Sequence, residues 1–349
     1  MVQSELSMGI LKESNGRPRI ALVTPPAAIP GGEFHIRGTG FARSERPRVT
    51  FGNVPGNVVI GSDSLVVARV PEGVTAGKLV VETGEHSSQS WPCGIGQSIA
   101  DSLHPVANPA VGPDGAVYST LSGSRGQKTP ASVFRVTSKE GSKPLLTDLM
   151  NATGLAFDRD GLLYVSSRYD GVVYQATSRG EMSVYVEGMG VATGLAFDPE
   201  ENLYVGDRSG TIFKISRTRQ IYVFATIEAS ISAYHLAFGP DQHLYVTGPT
   251  TSSFDIVMRV TPKGEVETFF RGLGRPQGLA FDADGNLYVA ASLSGKRGIV
   301  RVTPDSKAEL FLSGPSVVGL AFAPENAMVV ATNNALYRVE TDVRGRVLP

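Results

Sequence analysis

One twelve-residue stretch recurs along most of the chain and limits what the chain can fold into. Its clearest copy is GLAFDADGNLYV at residues 278–289. The copies are aligned on the second residue of the Ala-Phe pair, which is Val111, Phe157, Phe197, Phe238, Phe281 and Phe322. These positions are 46, 40, 41, 43 and 41 residues apart. Six copies at so regular a period predict a repeat architecture, in which each copy forms one structural unit.

Each copy has the pattern of a small antiparallel sheet. The first strand reads Leu-Ala-Phe, the second reads Leu-Tyr-Val, a third apolar strand follows, and most copies have a fourth. Four short strands within about 40 residues are typical of one blade of a β-propeller. The sequence therefore predicts an all-β chain with a six-bladed β-propeller at residues 96–341.

The turn between the first and second strands differs between copies. Three copies have Asp-Gly there, which is a strong hairpin signal because glycine adopts positive φ without strain. The other three copies have Glu201, Gln242 and Asn326 at the glycine position. We expect those hairpins either to differ in type or to tolerate mild backbone strain.

A further strand precedes the first copy. Residues 98–103 precede copy one in the same way that residues 144–149 precede copy two. They therefore have the position of a fourth strand, but no earlier blade exists in the sequence for them to join. We expect residues 98–103 to complete the sixth blade. That pairing would join the start of the propeller to its end and remove two exposed sheet edges.

The region before the repeats, residues 18–95, contains short β-type runs separated by proline and glycine, as in a small antiparallel sandwich. Two of its motifs are GTGF at residues 38–41 and FGNVP at residues 51–55. With these motifs the region resembles the IPT/TIG family of immunoglobulin-like domains. The resemblance implies a spacer or interaction module. A few relatives bind DNA, but the arginines of residues 43–48 are interleaved with Glu45 and form no dense basic loop.

Composition narrows the class of partner. The chain has 349 residues, 41% of them hydrophobic, with 32 lysines and arginines against 33 acids. A net charge of -1 gives no global electrostatic reason to expect nucleic acid or an anionic membrane as partner. The single cysteine, Cys93, excludes an intrachain disulfide. No apolar run reaches the length of a signal peptide or a membrane span, so we expect a cytoplasmic protein. Residues 1–17 are expected to form a flexible arm and residues 342–349 a tail.

The repeat is similar to that of NHL-repeat propellers and, more distantly, of the six-bladed regucalcin/gluconolactonase family. The second resemblance implies a divalent cation, often calcium, held at the channel mouth by oxygens just before the Gly-Leu of each first strand. The residues at those positions are Ala107, Thr153, Thr193, Tyr234, Gln277 and Val318. None is a carboxylate, and a hard cation has little reason to leave water without an anionic ligand. We therefore expect no cofactor, and calcium or another divalent ion only under a lactonase alternative.

Four of these residues, Thr153, Thr193, Tyr234 and Gln277, are candidates for contact with a ligand at the channel mouth. His235 replaces the first-strand glycine of the fourth copy and lies beside Tyr234 in sequence. Its imidazole could act as a base or bind a polar ligand. The alternative is that His235 fills space at an irregular blade.

The loops after the second strands give a second set of polar candidates, Arg168, Asp207 and Arg208. Arg168 and Arg208 stand at equivalent positions of adjacent copies, which would place two guanidinium groups side by side, as an anion or a partner contact requires. The alternative interpretation makes Asp207 a turn-organising residue and leaves both arginines solvated.

These observations favour a non-catalytic binding or scaffold protein in which a propeller face contacts a protein or a small polar ligand. A gluconolactonase-like lactone hydrolase is the second hypothesis, and a structural subunit of a larger assembly is the third. No catalytic residue and no metal ligand is assigned, and the oligomeric state stays open.

Overall fold

A computed structural model describes residues 17–42, 45–75, 77–124 and 126–346. This part of the chain contains strands and no helix, which confirms the all-β class, and so it offers no helix that could cross a membrane. The predicted arm, apart from Arg17, lies outside the described residues, as do Arg43 and the last three residues of the predicted tail. The chain divides into two compact units. The first contains the residues up to Thr24 together with Glu33–Cys93. The second contains Pro25–Gly32 together with the residues from Gly94 onward. We call them the sandwich unit and the repeat unit.

The sandwich unit contains two antiparallel sheets. The first has the strand order Arg19–Thr24, Glu33–Thr39, Leu65–Arg69, Asn57–Gly61. The second has the order Trp91–Pro92, Lys78–Thr83, Arg48–Phe51, Val54–Pro55, and His86–Ser87 pairs with Lys78–Thr83. Burial alternates along Arg48–Phe51 and Lys78–Thr83, and the ring centroids of Phe34 and Phe51 lie 5.8 Å apart in the core. This alternation is what a sheet with one buried face requires.

Each repeat copy forms a sheet of its own in the repeat unit, and we number these sheets in chain order. Sheet 1 contains Ala110–Val111, Val117–Thr120, Val133–Thr137 and Gly141–Leu146. Sheet 2 contains Ala152–Phe157, Leu163–Ser167, Val172–Ala176 and Met182–Val186. Sheet 3 contains Ala192–Phe197, Leu203–Asp207, Thr211–Ile215 and Ile221–Thr226. Sheet 4 contains His235–Phe238, Leu244–Thr247, Ile256–Val260 and Val266–Arg271. Sheet 5 contains Leu279–Phe281, Leu287–Leu293, Lys296–Val302 and Ala308–Ser313, with Leu273–Gly274, Ala27–Ala28 and Gly94–Ile95 added. Sheet 6 contains Val317–Ala323, Ala327–Thr332, Leu336–Glu340 and Gln97–Ala100.

The first strands of these sheets form a closed cycle. Each first strand contacts the first strand of the next sheet, and that of sheet 6 contacts that of sheet 1. Gln97–Ala100 pairs antiparallel with Leu336–Glu340, so the start of the repeat unit joins its end. The expected pairing of this early strand with the last repeat is confirmed. The cycle has the architecture of a β-propeller.

The tyrosine of the Leu-Tyr-Val strand connects one sheet to the next. The ring of Tyr164 in sheet 2 lies 4.9 Å from that of Phe197 in sheet 3, at an interplanar angle of 78°. The same tyrosine-to-phenylalanine contact joins four further pairs of neighbouring sheets: Tyr118–Phe157, Tyr204–Phe238, Tyr245–Phe281 and Tyr288–Phe322. Aromatic pairs favour such edge-to-face and tilted contacts. The repeated Tyr and Phe of the sequence are therefore the residues that stack the sheets.

The segment Pro25–Gly32 departs from the sequence-based boundary, which placed it in the sandwich at residues 18–95. Ala27–Ala28 pairs in parallel with Leu312–Ser313 at the outer edge of sheet 5, and Gly94–Ile95 pairs in parallel with Ala27–Ala28. Ile29 is fully buried in a core cluster of the repeat unit with Leu312 and Phe311. The segment covers a sheet edge that would otherwise expose unpaired backbone groups, which explains why it packs there.

The described part of the predicted tail, residues 342–346, contacts sheets 4 and 5. Gly345 forms an isolated antiparallel bridge with Asp282, and Arg346 donates from its guanidinium to the carbonyl oxygen of Phe238 over 2.7 Å. The described part of the predicted tail is thus held by backbone contacts to the repeat unit.

Candidate functional site

A cavity of about 310 Å³ opens in the repeat unit, at the end of the sheets where first strands begin and second strands finish. Its polar lining residues are His104, Thr153, Arg168, Thr193, Arg208, Ser232, Gln277 and Asn333. Its apolar lining residues are Pro105, Val106, Val191, Ile231, Ala233 and Val318. The volume is at the lower end of the range of small-molecule sites, and the mixture of an apolar wall with a few convergent polar groups is typical of them.

Two threonines stand at the same point of sheets 2 and 3, where the first strands begin. Both are buried, and their hydroxyls are already engaged. Thr153 Oγ1 donates to the Asn151 carbonyl oxygen over 3.0 Å, and Thr193 Oγ1 donates to the Gly206 carbonyl oxygen over 2.8 Å. The threonines therefore line the cavity with hydroxyls whose protons are already donated, so that these groups could only accept a hydrogen bond from a ligand.

Two arginines come from equivalent points of the same sheets, directly after the second strands. Arg168 Nη2 donates to the Gly123 carbonyl oxygen over 3.1 Å, and Arg208 Nε donates to the Ser230 carbonyl oxygen over 3.2 Å. Arg168 is half-buried and Arg208 exposed. Among the described residues Arg208 forms no ion pair. Backbone carbonyls therefore accept a hydrogen bond from each of these side chains beside the cavity.

The remaining polar groups come from other sheets and connections. Gln277 is half-buried, and its backbone is fixed because its N–H donates to the Ala290 carbonyl oxygen over 2.9 Å. The His104 ring places Nδ1 3.1 Å from the Asn333 carbonyl oxygen. Asn333 directly follows the second strand of sheet 6, as Arg168 and Arg208 directly follow the second strands of sheets 2 and 3. The cavity thus carries two guanidinium groups, an imidazole and two amides, and no carboxylate is among the described residues that line it.

Three predicted site residues, Tyr234, His235 and Asp207, do not line the cavity. Tyr234 is fully buried, its amide N–H donates to Thr193 Oγ1 over 3.2 Å, and its hydroxyl donates to the Glu228 carbonyl oxygen. His235 is 4% exposed, and burial lowers its pKa from 6.5 to about 4. A neutral, buried imidazole fits the space-filling alternative for His235.

Asp207 organises the turn after the second strand of sheet 3. It is 6% exposed, and its Oδ1 accepts from the backbone N–H of Val191 over 2.8 Å and of Ser209 over 3.2 Å. Val191 itself lines the cavity. Asp207 is therefore a positioning residue, which fixes the backbone next to Arg208 while its own carboxylate is engaged elsewhere.

The cavity does not fit a calcium ion. Calcium favours carboxylate and carbonyl oxygens, whereas the lining within the described part of the chain includes two arginines and no carboxylate. Across the described residues, no cluster of three or more histidine, cysteine, aspartate or glutamate side chains could hold a metal ion. No reaction step through a metal follows from this donor set.

The sequence did not single out several lining residues. His104, Pro105 and Val106 belong to the connection that leads into sheet 1, and Ile231, Ser232 and Ala233 belong to the one that leads into sheet 4. No repeat pattern marks these irregular segments. Asn333 was detectable, because the alignment of the copies places it with Arg168 and Arg208.

Comparisons with known proteins agree with this architecture. Residues 18–92 match the IPT/TIG domain family. No curated protein sequence matches the chain. A protein of unknown function from Bacteroides thetaiotaomicron has 14% identity and a TM-score of 0.60, with 94% of this chain and 99% of that chain covered. An auxiliary nutrient binding protein from Bacteroides ovatus has 12% identity and a TM-score of 0.55, with 93% and 97% covered.

A third solved structure resembles a shorter part of the chain. It is described as a putative gluconolactonase, has 19% identity and a TM-score of 0.61, and the match covers 73% of this chain and 94% of that chain. Identities this low show the fold alone. The chain therefore carries an IPT/TIG domain at residues 18–92 and a β-propeller fold similar to that of gluconolactonase-like proteins.

Proposed function

We propose that this protein is a non-catalytic binding protein, and that the cavity of the repeat unit binds a small polar ligand. The proposal rests on one observation: residues at equivalent positions of several sheets line the same cavity. Thr153 and Thr193 line it, and Arg168, Arg208 and Asn333 come from one equivalent position of three sheets. A closed cycle of sheets gives such a site a rigid frame at little conformational cost on binding.

The similar structures support a binding role without specifying it. Two of them are described as auxiliary nutrient binding proteins of Bacteroides species, and each match covers more than nine-tenths of this chain. Neither description says what the proteins bind, so the ligand is argued from the cavity itself.

The lactone hydrolase is the weaker hypothesis. A metal-dependent lactonase needs a cation that polarises the carbonyl and activates water. The donor set of the cavity does not suit such a cation, and His235, which is 4% exposed, is not among the lining residues. A structural subunit of an assembly stays the third hypothesis, and no observation in the cavity favours it.

A variant that fills the cavity tests the proposal. Ala233 lines the cavity and is half-buried, so the indole of Ala233→Trp should occupy the space of a ligand. We expect a thermal-shift screen of neutral and acidic metabolites to find compounds that stabilise the wild-type chain, by about 2.7 kcal/mol at a hundred times Kd. The same compounds should not stabilise Ala233→Trp.

Val266→Trp is the matched control, because Val266 is 41% exposed on the fourth strand of sheet 4, away from the cavity lining. It should respond to ligands as the wild type does. Equal stabilisation of Ala233→Trp and the wild type, or no stabilising compound at all, would contradict a ligand site in this cavity.

A further inference from the structure

The loop after the second strand of sheet 4 is longer than its counterparts in the two preceding sheets. Residues 248–255 connect the second and third strands of sheet 4, whereas residues 168–171 and 208–210 do so in sheets 2 and 3. All residues of the long loop are described, and none of them lines the cavity. The connection from sheet 3 to sheet 4 does line it, through residues 231–233. We call residues 248–255 the sheet 4 loop and residues 231–233 the rim segment.

The sheet 4 loop makes its contacts with the connection rather than with the cavity. We propose that this loop determines which ligands the cavity accepts, because it fixes the rim segment through Glu228 and Ser230. The inference rests on the proposed binding function. It adds specificity-determining residues that lie outside the lining and act through the rim segment.

The carboxylate of Glu228 joins the connection to the sheet 4 loop. Its Oε1 accepts from Thr251 Oγ1 over 2.5 Å and from the Ser252 backbone N–H over 3.0 Å, and its Oε2 accepts from the Ser252 hydroxyl. Hydrogen bonds from Ser252 and Thr251 lower the pKa of Glu228 to about 2. The carboxylate is therefore ionised at neutral pH, where both of its oxygens accept hydrogen bonds. The carbonyl oxygen of Glu228 accepts from the Tyr234 hydroxyl, so this residue is held from the core as well.

Ser230 provides a second connection between the same elements and is 5% exposed. Its backbone N–H donates to the Arg208 carbonyl oxygen over 2.9 Å, and its carbonyl oxygen accepts from Arg208 Nε over 3.2 Å. On the other side its hydroxyl donates to the Pro249 carbonyl oxygen over 2.8 Å, and its backbone forms an isolated bridge with Thr250. Ser230 therefore joins the connection to sheet 3 and to the sheet 4 loop.

The rim segment follows Ser230 directly, and its backbone is held by the same groups. The Ile231 N–H donates to the Pro249 carbonyl oxygen over 3.0 Å, and the Ser232 N–H donates to Ser230 Oγ over 3.1 Å. The Ile231 side chain is 49% exposed and belongs to the apolar part of the lining. A binding site keeps its geometry only where supporting hydrogen bonds fix the residues that line it. A change in the sheet 4 loop should therefore move the wall that Ile231 forms.

The position of an apolar wall affects selectivity as well as affinity. A difference of one methylene group in a hydrophobic pocket changes discrimination between ligands by about 10- to 200-fold. A small displacement of Ile231 should consequently change the order in which the cavity prefers its ligands. This change of order separates a specificity role from a general loss of stability.

Glu228→Ala tests the first step without a ligand, because it removes the carboxylate and leaves the lining residues in place. We expect solvent exchange of the Ile231 and Ser232 backbone N–H groups to become about tenfold faster, because fewer hydrogen bonds oppose opening of the rim segment. Hydrogen exchange followed by NMR on the full chain measures this. The Ala290 N–H, which donates to the Gly278 carbonyl oxygen over 2.8 Å in sheet 5, should exchange as in the wild type.

The metabolite set of the thermal-shift screen tests the second step. We expect the compounds that stabilise the wild type to bind Glu228→Ala with affinities changed by about tenfold and in a different order of preference. The double variant Thr251→Val with Ser252→Ala removes two of the donors from the loop side and should change the order in the same way. A purely structural role of Glu228 would lower stability and leave the order of the compounds unchanged.

Asp305→Ala is the matched control, since Asp305 is also exposed and engaged within a turn. Its carboxylate accepts from Thr303 Oγ1 over 2.5 Å and pairs with Lys307 Nζ over 2.6 Å. This turn connects the third and fourth strands of sheet 5 and is not part of the cavity lining. The variant should leave both the exchange of the rim segment and the order of the compounds unchanged.

Two results would overturn the inference alone. They are unchanged exchange at Ile231 and Ser232 in Glu228→Ala, and an unchanged order of compounds in both loop variants. In either case, binding that is lost in Ala233→Trp would leave the proposed binding function standing. If the screen finds no compound that needs the cavity, the binding function fails and this inference fails with it.

Discussion

Sheets 3 and 4 are formed by two copies of the same repeat, but the residues at equivalent positions line the cavity in sheet 3 and lie in the core in sheet 4. In sheet 3 the residue before the first-strand glycine is Thr193, and the loop after the second strand begins with Arg208; both line the cavity. In sheet 4 the corresponding residue is Tyr234, and His235 replaces the glycine. Both are buried outside the cavity lining.

Side-chain size explains the difference. A threonine at the start of the first strand leaves a hollow at the end of the sheet, whereas a tyrosine at that point packs into the core and extends its hydroxyl to the Glu228 carbonyl oxygen. The same position can therefore form a site or fill the core. A functional residue cannot be transferred from one copy to the next by alignment alone.

The largest effect expected from this comparison is a loss of stability at acid pH caused by His235. Burial lowers its pKa from 6.5 to about 4, so between these values the unfolded chain binds a proton that the folded chain does not. The contribution of His235 to stability is complete above pH 6.5 and declines as the pH falls toward 4. We expect this decline to reach about 3 kcal/mol in the free energy of unfolding.

Denaturant unfolding of the wild type and His235→Gln across this range measures the effect. Glutamine has no such proton to bind, so the difference in stability between the two proteins should change by the expected amount between pH 7 and pH 4. A difference that is constant with pH would mean that His235 is solvated in the folded protein and that sheet 4 does not bury it.

A smaller effect should come from the glycine that sheet 3 keeps. A Cβ atom at Gly194 would lie 2.7 Å from the Tyr234 carbonyl oxygen and 3.0 Å from the Leu236 nitrogen. Because backbone atoms cannot move aside as side chains do, Gly194→Ala should lower the free energy of unfolding by about 2 kcal/mol.

Gly141→Ala separates crowding from backbone strain in that measurement. Gly141 has a φ of +67° but no atom within 4 Å of the added Cβ, so alanine there should lower stability by only about 1 kcal/mol. Thermal or urea unfolding measures both variants. If Gly194→Ala and Gly141→Ala lowered stability equally, the first strands of sheets 3 and 4 would be farther apart than the distances from Gly194 to Tyr234 and Leu236 indicate.

Most of the fold was predictable because the repeat carries it. The Leu-Ala-Phe and Leu-Tyr-Val strands form where expected, and Glu201, Gln242 and Asn326 adopt positive φ where other copies have glycine. The placement of Pro25–Gly32 was not predictable. It depends on a two-residue pairing with a strand almost three hundred residues away, and no local periodicity signals such a contact.

The candidate site was predictable only where it follows the repeat. Alignment places Thr153 and Thr193 together, and likewise Arg168 and Arg208, and these four line one cavity with Gln277. Their role as ligand contacts stays a prediction. Tyr234 has the same alignment position as Thr153, Thr193 and Gln277, and His235 has that of the glycine that follows them. The sequence does not show that the bulk of these two side chains is accommodated in the core.

The smallest effects should separate two neighbours in sheet 3, Asp207 and Arg208. The Asp207 carboxylate satisfies the backbone N–H groups of Val191 and Ser209 in a nearly buried turn. Arg208 is exposed, and its side chain makes one hydrogen bond to a backbone carbonyl. The first residue should therefore support the fold, and the second should serve the cavity.

Asp207→Ala should lower the free energy of unfolding by about 1 to 2 kcal/mol, because the partly buried N–H groups of Val191 and Ser209 lose their carboxylate acceptor. Arg208→Gln should change it by no more than about 0.5 kcal/mol, as is usual for an exposed residue. Urea unfolding at neutral pH measures both, and titration with a compound found in the thermal-shift screen measures binding. A large stability loss in Arg208→Gln would make this arginine part of the fold, because its effect on binding could then follow from disorder of the turn. A stable Arg208→Gln that binds the same compound more weakly than the wild type would assign the Arg208 side chain to the cavity.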